Sequence, residues 1–193
     1  MKPPHHASRG TLAFGVDPSG GSSPWGIAIL EARGDYWVLL NHASPSPLRA
    51  LEALLDVLHP SRATPLVCVD APITPPRRGG AFRAHERAAM RLGARLIPLN
   101  TRGMAKLVRA GVALAALLSE AGIPVCETHP GSFRGMALGL VSMLAQRRFN
   151  RHEIDAILAA AACASLIEGW SLLLKSREGC ILLPLMLPKI KIL

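Results

Sequence analysis

Four apolar stretches of the chain each carry a single acidic residue at or near one end. They are FGVDPSGG with Asp17, LVCVDAPI with Asp70, PVCETHPG with Glu127, and HEIDAILAAAA with Asp155. The first three have the length and residue types of short strands, and the fourth is typical of the opening turns of a helix. A carboxylate at the end of a buried strand faces the crevice in which open α/β sheets bind their ligands. The pattern therefore predicts an α/β fold with its acidic residues near one crevice.

The rest of the chain alternates between strand and helix patterns. Strands are predicted over residues 11–17, 25–31, 35–42, 66–70, 123–127 and 179–187, the first three as a meander and 66–70 as a parallel strand. Helices are predicted over residues 47–59, 83–93, 103–121, 131–145 and from Asn150 to about 174, and a loop over 72–82. Asn150 and Glu153 have the spacing of a capping box. This order predicts a mixed sheet flanked by helices on both faces.

Composition limits the class of protein. The chain has 193 residues, 50% of them hydrophobic and 18% charged, which favours one globular domain over 1–193 with a core of about 11–185. The longest uncharged helical stretch, between Asp155 and Glu168, is too short to span a bilayer, and no signal peptide precedes it. The four cysteines lack CxxC spacing and are typical of buried thiols. We therefore expect a cytoplasmic protein without a membrane partner.

The positive charge is concentrated in one segment. The net charge is +9, and residues 77–109 hold nine basic residues against Glu86 alone. Arginines recur there at every fourth position, which predicts a stripe along a helix that matches a nucleic-acid backbone. The candidate nucleic-acid-binding residues are Arg83, Arg87, Arg91, Arg95, Arg102 and Lys106. A solvated face is the alternative, and one Tyr and four Phe are too few for a base-stacking platform.

The acidic residues suit an all-oxygen site for two Mg²⁺ or Mn²⁺ ions. Each also has a simpler explanation: Asp17 could cap the turn that follows it, and Asp70 could pair with a nearby arginine. His129 lies two residues after Glu127, and His152 lies three residues before Asp155. Either histidine could orient the acids or carry a proton, although a purely structural role is as compatible with the sequence.

Six short motifs together resemble a known group of proteins. FGVDPSGG and HEIDAILAAA are similar to segments of RNase-H-like nucleases of the Holliday-junction-resolvase type. GVDPS, VDAP, the Arg-x-x-Glu-Arg start at Arg83, ETHP, HEIDA and a terminal Glu-Gly-x-Ile-x-x-Pro resemble the predicted RNase-H-fold nucleases called domain of unknown function 429. The resemblance spans about residues 11–185. It departs from classical RNase H in having Asp as the second acid and a long basic loop.

The resemblance implies an RNase H-like α/β fold and makes Asp17, Asp70, Glu127 and Asp155 the candidate catalytic and metal-binding residues. The leading hypothesis is a two-metal-ion nuclease acting on DNA or RNA. One alternative is a non-catalytic nucleic-acid- or partner-binding module on the same fold. The other is an actin-like or sugar-kinase-like phosphate-binding enzyme, for which the chain lacks a second glycine-rich phosphate turn.

Overall fold

A six-stranded mixed sheet forms the centre of the computed structural model, which describes residues 7–20, 23–43, 45–46, 49, 52, 56, 65–77 and 80–192. The strands are β1 (Leu12–Asp17), β2 (Gly26–Ala32), β3 (Trp37–Ala43), β4 (Leu66–Val69), β5 (Val125–Glu127), β6 (Ser171–Ser176), β7 (Gly179–Pro184) and β8 (Ile190–Ile192). The sheet has the order β5-β4-β1-β2-β3-β8, and β6 and β7 pair with each other outside it.

The pairing of the strands determines where the functional edge lies. β1, β2 and β3 run antiparallel as the predicted meander, while β4 is parallel to β1 and β5 is parallel to β4. The carboxyl ends of β1, β4 and β5 therefore meet at one edge of the sheet. The Asp70 amide donates a hydrogen bond to the Val16 carbonyl at 2.8 Å, which continues the pairing of β4 with β1 to this edge.

Helices pack on both faces of the sheet. They are α1 (Ala84–Arg91), α2 (Arg102–Glu120), α3 (Pro130–Phe133), α4 (Leu138–Gln146) and α5 (Arg151–Ile167). The buried, alanine-rich α5 covers one face, where it packs on Ala13, Ala28 and Leu30. Leu114 and Leu118 of α2 cover the other face. This arrangement confirms the predicted α/β class, a mixed sheet flanked by helices on both faces.

α5 begins as predicted and ends earlier than predicted. The capping box is present, since the Asn150 side chain accepts from the Glu153 amide at 3.0 Å and the Glu153 side chain accepts from the Asn150 amide at 2.9 Å. The helix stops at Ile167, and the prediction of helix to about 174 is wrong. Gly169 has a φ of +76°, and the Trp170 amide donates to the Ser165 carbonyl, which is the geometry of a Schellman ending.

Other segments differ from the prediction in detail. The helix predicted over 131–145 is divided into α3 and α4, and residues 190–192 form an additional strand beside β3. The helix predicted over 47–59 lies outside the described residues, apart from isolated positions. Within the part of the chain that the structure describes, none of the helices has the length and apolar character needed to cross a membrane.

Candidate active site

A cleft of about 420 Å³ lies at the edge where β1, β4 and β5 end. Its walls include the turn after β1, the segments that follow β4 and β5, and the first turns of α5. Glu86 of α1, the segment 96–99 and the start of α2 complete the lining. All four predicted acids line it, namely Asp17, Asp70, Glu127 and Asp155. The fold therefore brings together carboxylates that are up to 138 positions apart in the sequence.

Strand alternation directs two of these acids towards α5. Ala13 and Cys68 pack against that helix, and side chains on a strand alternate between the two faces. Asp17 lies four residues after Ala13, and Asp70 lies two residues after Cys68. Both acids therefore belong to the face of the sheet that α5 covers. Asp155 lies in the second turn of α5, the helix that packs on this face. Three carboxylates thus approach one another between the sheet and the helix.

The electrostatics of Asp70 are consistent with this proximity. Burial raises the pKa of the Asp70 carboxyl well above its usual range, and the charges of Asp17 and Asp155 raise it further. The Asp70 carboxylate accepts no hydrogen bond from the residues that the structure describes. A carboxylate in this position is costly to ionise unless a cation neutralises it.

Asp17 has a partner within the cleft. Its Oδ2 lies 2.7 Å from Nδ1 of His152, which stands on the first turn of α5. Burial raises the pKa of the Asp17 carboxyl, the contact with His152 lowers it, and the charge of Asp155 raises it. His152, predicted to assist the acids, therefore contacts Asp17 rather than the neighbouring Asp155.

Asp155 is bound by arginines. Oδ1 of Asp155 accepts a hydrogen bond from Nη2 of Arg134, and Arg151 lies 3.6 Å from Oδ2. The Arg151 side chain is mostly exposed, whereas that of Arg134 is 38% exposed and closes one side of the carboxylate. Arg134 follows α3 directly, so it comes from the segment that leaves β5.

Glu127 differs from the other three acids because it lies on the opposite face of the sheet. It is paired in register with Val69, whose side chain packs with the α2 cluster. Both of its oxygens accept hydrogen bonds from Arg83, and Oε2 also accepts from the Ile73 amide at 3.0 Å. Burial raises the pKa of Glu127 to about 7, although Arg83 acts against this, and nearby Glu86 adds to it. Glu127 lines the cleft, but its oxygens are already engaged.

The basic stripe is only partly as predicted. Arg83 is fully buried at the N-cap of α1, where it binds Glu86 and Glu127, so its assignment to a nucleic-acid surface is wrong. Arg95 lies beyond the end of α1 and therefore does not continue a helical stripe. The remaining candidates are exposed, with Arg87 and Arg91 on α1 and Arg102 and Lys106 on the first turns of α2.

His129 lines the cleft without contacting an acid. Its Nδ1 lies 2.8 Å from the Ser132 hydroxyl, and burial lowers the pKa of the ring. This hydrogen bond joins the end of β5 to α3, which is a structural contact. The sequence-based interpretation left that role open for His129.

Sequence reasoning missed Arg151, which lines the cleft, and Arg134, which binds the cleft residue Asp155. Arg151 lies four residues before Asp155, a spacing that places both on one side of a helix, and this signal was available in the sequence. Arg134 lies 21 residues before Asp155 in a segment without a recognisable motif. Only the packing of α3 beside α5 brings it to the carboxylate.

The carboxylates fit a hard divalent cation by chemistry, although they are not arranged around one. Carboxylate oxygens are the ligands that Mg²⁺ and Mn²⁺ prefer, and mutual repulsion at Asp70 is the condition that a cation relieves. Among the described residues, no group of three or more His, Cys, Asp or Glu side chains has the geometry of a metal site. Asp17 and Asp155 are instead turned towards cationic or basic partners on the chain.

Among the comparisons with known proteins, the one with solved structures yields matches. No family model matches the chain, and no curated protein matches it. The solved structure of "T. thermophilus RuvC in complex with Holliday junction substrate" aligns with 82% of this chain and 95% of the RuvC chain, with 19% sequence identity and a TM-score of 0.48. At this level of similarity, the activity of one protein does not transfer to the other.

Proposed function

We propose that this protein is a metal-dependent nuclease that hydrolyses phosphodiester bonds of DNA or RNA with two Mg²⁺ or Mn²⁺ ions. The observation that carries the proposal is the group of carboxylates that Asp17, Asp70 and Asp155 form in one cleft. The Asp70 carboxylate accepts no hydrogen bond from the described residues, and burial, together with the charges of the other two acids, makes it hard to ionise. Protein folding alone does not favour such a group, because each acid raises the cost of ionising its neighbours. A cation-binding role accounts for it.

Three residues would hold the ions, and Glu127 would not. Asp17 and Asp70 stand on adjacent parallel strands and Asp155 faces them from α5, so the three come from rigid elements. When bound, two such ions supply an activated water and stabilise the leaving oxygen. Glu127 instead binds Arg83 and the Ile73 amide, which fixes the segment after β4 that carries Asp70. This assignment modifies the four-acid hypothesis to a three-acid site.

His152 would orient Asp17. Its contact through Nδ1 leaves the other ring nitrogen to exchange protons, and the ring lines the cleft. A histidine in this position can receive a proton from water at the site or return one to a leaving oxygen. The helix start beside it also favours the ionised form of the nearby carboxylates.

The substrate class follows from charge. Arg87, Arg91, Arg102 and Lys106 are exposed on α1 and α2, and the α2 residues lie next to Gly103 and Met104 of the cleft wall. A polyanion that crosses this surface would pass the carboxylates, which suits a nucleic acid better than a small phosphate ester. Membership of the family called domain of unknown function 429 is part of this proposal.

A cleavage assay tests the function directly. Labelled single-stranded, duplex and four-way branched DNA and RNA are incubated with the protein in Mn²⁺, Mg²⁺ or EDTA. We expect cleavage of at least one substrate that EDTA abolishes. Asp17→Asn should reduce this cleavage by about 10²–10³-fold, the range found when one group that stabilises transition-state charge is removed. Asp35→Asn, an exposed acid remote from the cleft, is the matched control.

A binding module without catalysis gives a different result. It would bind the same nucleic acids in EDTA and in Mn²⁺ alike, with no cleavage and with no effect of Asp17→Asn. That outcome, together with a melting temperature that Mn²⁺ leaves unchanged, would replace the nuclease proposal.

A further inference from the structure

Of the two arginines at Asp155, Arg134 is the less exposed. Its Nη2 donates to Asp155 Oδ1, and its charge lowers the pKa of Asp70, so the guanidinium acts on two of the three acids. It is held by one carboxylate contact, while its buried Nε has no acceptor among the described residues. A guanidinium has five donors that suit two-pronged binding of a carboxylate or a phosphate. At Arg134 most of this capacity is unused.

Arg83 is an arginine with a structural role and provides a comparison for Arg134. It is fully buried, and Nη1 and Nη2 are shared among Glu127, Glu86 and Thr74. The Arg134 side chain is 38% exposed, and Asp155 is the one side chain that binds it among the described residues. The two arginines therefore differ in the property that matters for ligand binding, which is access to solvent.

We propose that Arg134, which contacts the cleft residue Asp155, is a phosphate-binding residue beside the cleft. Its guanidinium leaves Asp155 for a phosphate of the nucleic acid when a divalent cation neutralises that carboxylate. This inference rests on the proposed function. The exchange conserves charge pairing, because Asp155 gains the cation as Arg134 gains the phosphate. Arg134 is a binding and positioning residue here, and no bond to it forms or breaks.

The proposal has a consequence that an ordinary surface arginine would not produce. Without divalent cations, Arg134 is occupied by Asp155, so its removal should leave nucleic-acid affinity almost unchanged. With cations, its removal should weaken binding. Arg134 also competes with the cation for Asp155, so its removal should strengthen cation binding. Weaker binding of nucleic acid together with stronger binding of the cation would show that Arg134 exchanges partners. A residue that only adds positive charge would not produce both effects.

The experiment measures binding of a fluorescent oligonucleotide by anisotropy, in EDTA and in Ca²⁺, for wild type, Arg134→Gln and Arg33→Gln. Arg33 is an exposed arginine that pairs with Glu31 beside the start of β1, at the opposite end of the sheet from Asp17, so its variant matches the charge change. We expect equal affinities in EDTA and an about tenfold loss for Arg134→Gln alone in Ca²⁺. Mn²⁺ should raise the melting temperature of Arg134→Gln more than that of wild type.

Each other outcome has a defined meaning. If Arg134→Gln and Arg33→Gln bind alike in Ca²⁺, or if Arg134→Gln loses affinity equally in EDTA, the exchange is wrong while the nuclease proposal stands. If Mn²⁺ does not stabilise even the wild type, the metal site itself is wrong and this inference falls with it. Arg134→Lys provides a second variant should the first fail to fold, with an expected loss in Ca²⁺ of about threefold, since lysine keeps the charge without the fork.

Discussion

Gly15 of β1 lies directly against the backbone of Ala156 in α5. A Cβ on Gly15 would stand 2.0 Å from the Ala156 carbonyl oxygen and 2.3 Å from the Ala160 amide nitrogen. Gly26 of β2 has the same relation to α5, since a Cβ there would stand 1.9 Å from the His152 carbonyl oxygen. This contact of helix backbone with strand backbone brings the first turns of α5 to the end of β1, where Asp17 lies.

Gly15→Ala should therefore displace α5 and damage both stability and the site. The added methyl group meets backbone that no rotamer change can move, so we expect a loss of about 3 kcal/mol or more, near the upper limit of overpacking effects. For a chain of this size the melting temperature should fall by about 10 °C. Thermal unfolding followed by circular dichroism measures it. Gly139→Ala on α4, where nothing lies within 4 Å of the new Cβ, should be nearly neutral.

Asp70→Asn should stabilise the protein when divalent cations are absent. The pKa of Asp70 is raised in the folded state above its ordinary value of 3.8, so the folded state holds this proton more tightly than the unfolded state. Its contribution to stability is present below about pH 4 and is lost as the pH rises towards the folded-state pKa. At pH 8 in EDTA we expect the variant to melt about 3–6 °C above wild type, from about 1–2 kcal/mol.

The pH profile checks the sign of this effect. The difference between Asp70→Asn and wild type should vanish near pH 4 and grow with pH, and Mn²⁺ should stabilise only the wild type appreciably. The melting temperature of the variant should still fall somewhat as the pH rises, because burial also raises the pKa of Glu127, to about 7. If the variant melts at a lower temperature than wild type at pH 8, the ionised Asp70 carboxylate stabilises the folded state, which would contradict the prediction.

Arg83→Met should be among the most destabilising substitutions of an arginine in the chain. It leaves Glu127 and Glu86 buried without their guanidinium, which costs about 3–5 kcal/mol when one partner of a buried pair is removed. Arg91→Met, on the exposed face of the same helix, should change stability by less than about 0.5 kcal/mol. Urea unfolding of both variants measures the difference, and equal stabilities would show that Arg83 is dispensable.

The Arg83→Met deficit should also depend on pH. Glu127 takes up a proton below about pH 7, and a neutral carboxyl group no longer needs the guanidinium. The loss of stability should therefore be smaller at pH 5 than at pH 8. A deficit independent of pH would point to lost packing of the arginine side chain in place of lost charge pairing.

Arg87→Ala/Arg91→Ala should weaken nucleic-acid binding across sequences. If both arginines contact phosphates, the slope of log affinity against log salt should fall by about 2, because each phosphate contact releases about one counterion. Arg33→Ala/Lys189→Ala removes the same charge from the far end of the sheet and is the control. An unchanged slope in the first variant would mean that these arginines form a solvated face.

The sequence by itself predicted six strands of the described chain, β1 to β5 and β7, together with the start of α5 and the four acids that line the cleft. These are local properties: alternation of apolar side chains, the capping pair Asn150 and Glu153, and an acid at the end of an apolar run are all visible within about ten residues. The signal for the end of α5 is also local, because Gly169 follows the last turn of the helix. The prediction missed it because the leucines after Gly169 resemble a continued helix.

Only the tertiary structure decided which charged groups are paired. Arg83 and Glu127 are 44 residues apart, and Arg134 and Asp155 are 21 apart, so no periodicity relates them. The spacing of Arg83 with Arg87 and Arg91 is the same whether the first arginine is exposed or buried. Its environment depends on where the end of β5 lies, and that position depends on the order of the strands. Pairing at a distance is set by chain topology, and local sequence carries no record of it.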